Sequence, residues 1–98
     1  MKILALEREL PGGTVDDFRL LLKAEARRIW ELQQSGLLRE IYFNSNRHTA
    51  VLVLESPGIE EAGQVLSTFP LVMAGMIEFE LIPLVPYDGL ARLFTEEL

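Results

Sequence analysis

Residues 3–6 ("ILAL") and 50–54 ("AVLVL") are apolar at every position. Side chains of a β-strand point alternately to its two faces, so a sheet with one face in water alternates apolar and polar residues. An unbroken apolar run needs cover on both faces. A chain of 98 residues has room for one domain, and a domain of that size buries only a modest fraction of its surface. Its fold must therefore cover both faces of its central strands with little material.

The remaining segments say which elements are available. "KILALE" reads as the first strand, closed by charges and by the breakers Pro11, Gly12 and Gly13. Thr14 is suited to cap a helix over residues 15–35, with Asp16 and Asp17 in its first turn and Gly36 just past its end. "REIYFN" and "TAVLVLE", separated by a polar turn, predict a hairpin of strands two and three. Ser56 and Pro57 open a short second helix that ends near Thr68. "FPLVMAG" reads as a breaker-rich turn, and "MIEFELIPL" as a fourth strand with Ile77, Phe79 and Leu81 on one face until Pro83 stops it. Within the tail 84–98, Leu90, Leu93 and Phe94 would share one side of a terminal helix.

The order β-α-β-β-α-β predicts an α+β, ferredoxin-like domain over residues 1–98, with a four-stranded antiparallel sheet and both helices on one face. Two helices leave the other face bare, so we expect a second copy to pack against it, giving a homodimer or higher homo-oligomer; the alternative is a monomer whose C-terminal tail folds over that face. Leaving four or five Val, Leu or Ile side chains exposed would forfeit roughly 1.5–3 kcal/mol each.

Composition narrows the partners. Fifteen acidic against nine basic residues disfavour phosphate backbones and anionic membrane surfaces, so neither nucleic acid nor membrane is expected. No cysteine is present, which removes disulfides, thiolate metal sites and cysteine nucleophiles. "MKILALEREL" meets charges too early for a signal peptide, and no uncharged run spans a bilayer, so the expected compartment is the cytoplasm. No phosphate-binding loop, dinucleotide fingerprint or histidine-rich metal motif occurs, and no cofactor or metal is expected.

On a helical wheel Phe18, Leu22, Ile29 and Leu32 fall in one arc, and Glu25 falls inside it. A carboxylate facing a core is costly unless it is paired or used. One reading is a general base with a raised pKa; the other is a structural ion pair with an arginine or His48, or a helix rotated enough to bring Ala26 inward instead. His48, the single histidine, ends the polar turn, with Arg47 before it and Tyr42 across the hairpin. Together with Glu25 these groups could move a proton beside a carbonyl, with Tyr42 or Arg47 hydrogen-bonding the enolate and Trp30 serving as a pocket wall or dimer anchor; the plainer readings are a solvated loop histidine and a packing tyrosine. Glu78 and Glu80 share a face of strand four and read as protection of a sheet edge. Arg27 and Arg28 read as complements to the C-terminal end of the helix dipole.

"ELQQSGLLREIYF" (31–43), "AVLVLES" (50–56) and "VLSTFPLVMAGMIEFELIPLVPY" (65–87) resemble the muconolactone isomerase family of the dimeric α+β barrel superfamily. The resemblance implies a cofactor-independent isomerase that shifts a double bond in a small unsaturated lactone or carbonyl compound by proton transfer. It implies Glu25 as a helix glutamate of the site and Tyr42 as an aromatic ending strand two. The chain departs from the family's pattern at "MAGM" and in lacking a basic ending. The superfamily also contains non-catalytic ligand-binding modules, which is the alternative reading.

Overall fold

A computed structural model describes residues 1–95; the end of the tail, residues 96–98, lies outside the described residues. The elements are β1 (Lys2–Glu9), α1 (Val15–Gln34), β2 (Leu38–Phe43), β3 (Ala50–Glu55), α2 (Ile59–Leu66), α3 (Pro70–Met73) and β4 (Ile77–Leu84), followed by a 3₁₀ helix at Gly89–Phe94. The strands form one antiparallel sheet in the order β2-β3-β1-β4. This is the ferredoxin-like α+β arrangement, with the two strands that carry the unbroken apolar runs in the centre and β2 and β4 at the edges.

Local chemistry sets the boundaries. Thr14 Oγ1 accepts from the Asp17 N–H at 3.1 Å while Asp17 Oδ2 accepts from the Thr14 N–H at 3.1 Å, a reciprocal capping box that starts α1. Ser35 caps the other end, and Gly36 at φ 82° takes the left-handed conformation that turns the chain into β2. "FPLVMAG" contains a helical turn where a plain turn was expected. Pro70, with φ preset for a helix, opens α3, and Gly75 at φ 73° ends it. Pro83 does not stop β4: the strand runs to Leu84, because an edge strand has a ladder on one side only and can spare an N–H. Arg27 and Arg28 lie outside the last turn of α1, which holds no basic residue. Arg28 instead donates to Thr68 Oγ1 at 2.8 Å and lies 3.5 Å from Glu31.

Ile3, Ala5, Leu52, Leu54, Leu38 and Ile77 face the helices and are fully buried with Phe69, Leu66, Ala62 and Leu32. A register shift between Leu38 and Glu40 brings both Leu38 and Ile41 to this side although they are three residues apart. The opposite face carries Leu4, Leu6, Val51 and Val53, all half-buried, and no helix covers it. Glu78 and Glu80 stand exposed at its β4 edge, where Glu78 lies 3.5 Å from Arg8 on the neighbouring strand.

The described part of the tail, residues 85–95, does not fold over that face. Val85, Tyr87, Leu90, Leu93 and Phe94 are exposed, and the three residues expected on one side of a terminal helix all lie in the 3₁₀ turn facing solvent. The radius of gyration is 16.7 Å and the longest dimension 61 Å, against roughly 13 Å for the radius of a compact domain of this length. No helix among the described residues is long and apolar enough to cross a membrane.

Candidate functional site

Between α1 and the sheet lies a cavity of about 350 Å³. Its walls are Phe18, Leu22 and Ile29 from α1, Ile41 and Phe43 from β2, Ala50 and Leu52 from β3, and Phe69, Leu71 and Phe79 from the α3–β4 side. Phe69 and Phe79 meet edge to face, with ring centroids 5.7 Å apart at 82°, a geometry aromatic quadrupoles favour. Four titratable side chains reach into these walls: Glu7, Glu9, Glu25 and His48. A wider groove of about 480 Å³ runs over the 11–13 turn, but its one acid, Asp17, is already engaged in the capping box.

Glu25 is where the helical wheel placed it, on the inner face of α1, and only 7 % of it is exposed. Its Oε1 accepts a hydrogen bond from the Leu71 N–H at 3.0 Å, which ties α1 to α3. Among the described residues Oε2 has no hydrogen-bond partner and keeps some accessible surface, and Glu25 is one of the residues that line the cavity. Burial raises the Glu25 pKa; the Leu71 amide opposes that rise and the charge of Glu7 adds to it. Neither an arginine nor His48 pairs with this carboxylate, which removes the structural ion pair as its explanation.

His48 owes its position to the turn. Asn44 Oδ1 accepts from the N–H groups of Asn46 and Arg47, and the Asn44 carbonyl accepts from the His48 N–H at 2.7 Å. At φ 56° His48 is in the left-handed region, which histidine visits more readily than most residues. Its ring stacks on Phe43 with centroids 3.9 Å apart at 20°, placing the imidazole at the cavity rim.

Three other expected site residues lie elsewhere. Tyr42 alternates with Ile41 and Phe43, so its ring emerges on the helix-free face, opposite Val51, and its Oη donates to Glu40 Oε1 at 2.7 Å. That carboxylate pushes the phenol pKa up. Trp30 is 60 % exposed on the outer side of α1 and does not line the cavity. Arg47 is exposed in the turn next to His48, and its side chain is likewise outside the cavity walls. The structure thus joins Glu25 and His48 and leaves Tyr42, Arg47 and Trp30 apart.

Glu7 is the residue that sequence reasoning missed, because it looked like the charge closing an apolar run. β1 continues to Glu9, and the alternation Ile3, Ala5, Glu7, Glu9 carries both acids onto the helix-covered face. Burial raises the Glu7 pKa and the nearby Glu9 charge raises it further, while the Ala50 backbone amide and His48 oppose them. Extending the alternation past Leu6 would have revealed it. Among the described residues no three acids or histidines converge closely enough to hold a metal ion.

An α+β sheet-and-helix layer with an apolar cavity and a buried carboxylate is the fold that this chain shares with muconolactone isomerase. The structure of muconolactone isomerase superposes on the chain with a TM-score of 0.75 at 19% identity, covering 91% of this chain and 93% of that one. The 5-chloro-2-hydroxyhydroquinone dehydrochlorinase of Burkholderia phenoliruptrix AC1100, in complex with 2,5-dihydroxybenzoquinone, matches with a TM-score of 0.62 at 12% identity, covering 91% of this chain and 98% of that one. No protein-family model and no curated protein sequence matches.

Proposed function

We propose that the chain is a cofactor-independent isomerase acting by proton transfer on a small unsaturated lactone or related carbonyl compound. The observation that carries this reading is the Glu25 carboxyl, buried in a mostly apolar cavity with one oxygen anchored and the other open. A base whose pKa is raised toward the working pH is better matched to carbon acids, and a dry wall strengthens its electrostatics. Glu25 Oε2 would take a proton from the carbon beside the carbonyl, the C–H electrons moving into the enolate. The protonated carboxyl would return it at the far end of the conjugated system, shifting the double bond. His48, on the rim, would donate a hydrogen bond to the enolate oxygen. The two structural neighbours support the reading, since one is an isomerase of a lactone and the other holds a small quinone.

The assembly proposed is a homodimer formed across the bare sheet face, which would cover Leu4, Leu6, Val51 and Val53. A non-catalytic ligand-binding module is the second reading, favoured by the predominance of aromatic and aliphatic groups in the cavity walls. The two part on one experiment. With a substrate found by screening, Glu25→Gln should lower kcat by about 10²–10⁴-fold while ligand binding persists; undiminished turnover removes Glu25 from the role.

A further inference from the structure

The charge lining this cavity is one-sided. Glu7 and Glu9 enter from β1, Glu25 from α1 and His48 from the β2–β3 turn, and no lysine or arginine lines it. The nearest basic groups in sequence are directed elsewhere. Arg8 projects to the opposite sheet face beside Glu78, Lys23 and Arg27 line a separate groove together with Arg28, which is held by Thr68 and Glu31, and Arg47 stays outside the cavity walls. The acids do not draw together as a cation cage. They are spaced around an apolar chamber, and the most buried of them keeps an unpartnered oxygen.

From this arrangement we infer that the cavity selects uncharged ligands and discriminates against ligands that carry a carboxylate. An anion entering it would lose water without gaining a cation, and would face three carboxyl groups across a low-dielectric space. A neutral ring loses little on entering, and its carbonyl oxygen still finds His48 at the rim. A cationic ligand would need an acid cluster to replace its hydration, and the acids here are dispersed. The inference rests on reading this cavity as the ligand site, and it names the substrate class for the proposed reaction: a lactone or enone without an acid group.

The test is equilibrium binding to the full-length protein, by calorimetry or ligand-observed NMR, of three matched probes. These are an unsubstituted butenolide, the same ring bearing an acetate arm, and the same ring bearing an aminoethyl arm. At neutral pH the neutral ring should bind about tenfold or more tighter than the acetate. That gap should narrow in Glu7→Gln and close as the pH falls into the carboxylate range. Equal or tighter binding of the acetate, tightest binding of the amine, or no binding by any of the three overturns the inference. Because the readout is affinity, loss of turnover on another substrate leaves it standing, and a silent result for charge leaves the proton-transfer reading standing.

Discussion

Glu25→Gln has a consequence for stability that is separable from catalysis. The amide oxygen of glutamine can still accept the Leu71 N–H bond now made at 3.0 Å by Oε1, and the side chains are nearly isosteric. What changes is the charge. Burial raises the Glu25 pKa and the Leu71 amide only partly offsets it. Below the carboxylate range both folded and unfolded chains hold the proton, and wild type and variant should be about equally stable. As pH rises, the unfolded chain ionises first while the folded chain keeps its proton, so wild-type stability falls through the window above the usual glutamate pKa. One proton limits that fall to about 1.4 kcal/mol per pH unit. Above the folded-state pKa the whole penalty is present and the variant should be the more stable form. For a domain of this size each kcal/mol corresponds to roughly 4–8 °C in Tm. Urea melts of both proteins from about pH 4 to about pH 8 would give the difference curve, which should open with rising pH. A variant less stable than wild type at neutral pH, or a difference that does not change with pH, would refute the reasoning. It would mean that the Leu71 amide outweighs desolvation.

Three further outcomes follow from other parts of the structure. Val53→Lys places an ammonium on the helix-free face and, for the proposed homodimer, should raise the dissociation constant by about tenfold or more, read by sedimentation, with the circular dichroism of the fold retained. Gly36→Ala should cost about 1–2 kcal/mol. Its added Cβ meets nothing within 4 Å, so the loss seen in chemical melts would come from the backbone at φ 82° alone. Thr14→Ala removes the side-chain half of the capping box and should cost about 0.5–2 kcal/mol, whereas Thr14→Asn should recover most of it.

The architecture was legible because its signals are long or strong: a 20-residue amphipathic helix between a threonine cap and a glycine, and two strands built on the unbroken apolar runs 3–6 and 50–54. Glu25 was legible for the same reason, since the phase of α1 is fixed by four apolar residues around it. Tyr42 was not, because "IYF" offers an apolar or aromatic group to either face and the shift near Leu38 lies just upstream. Only pairing with β3 decides that Ile41 and Phe43 go inward. Glu7 was hidden by reading a charge as the end of a strand that continues two residues further. α3 spans four residues, fewer than a helical period needs to announce itself.

The bond from the Leu71 amide to Glu25 makes the site a gauge of its own state. An amide proton shared with a carboxyl oxygen shifts when that carboxyl gains or loses its proton or turns toward a ligand, so a single nitrogen-15 resonance from α3 should report events at the opposite wall. The carboxyl that the proposed chemistry depends on therefore comes with a probe already attached, readable without a substrate or a change to any side chain.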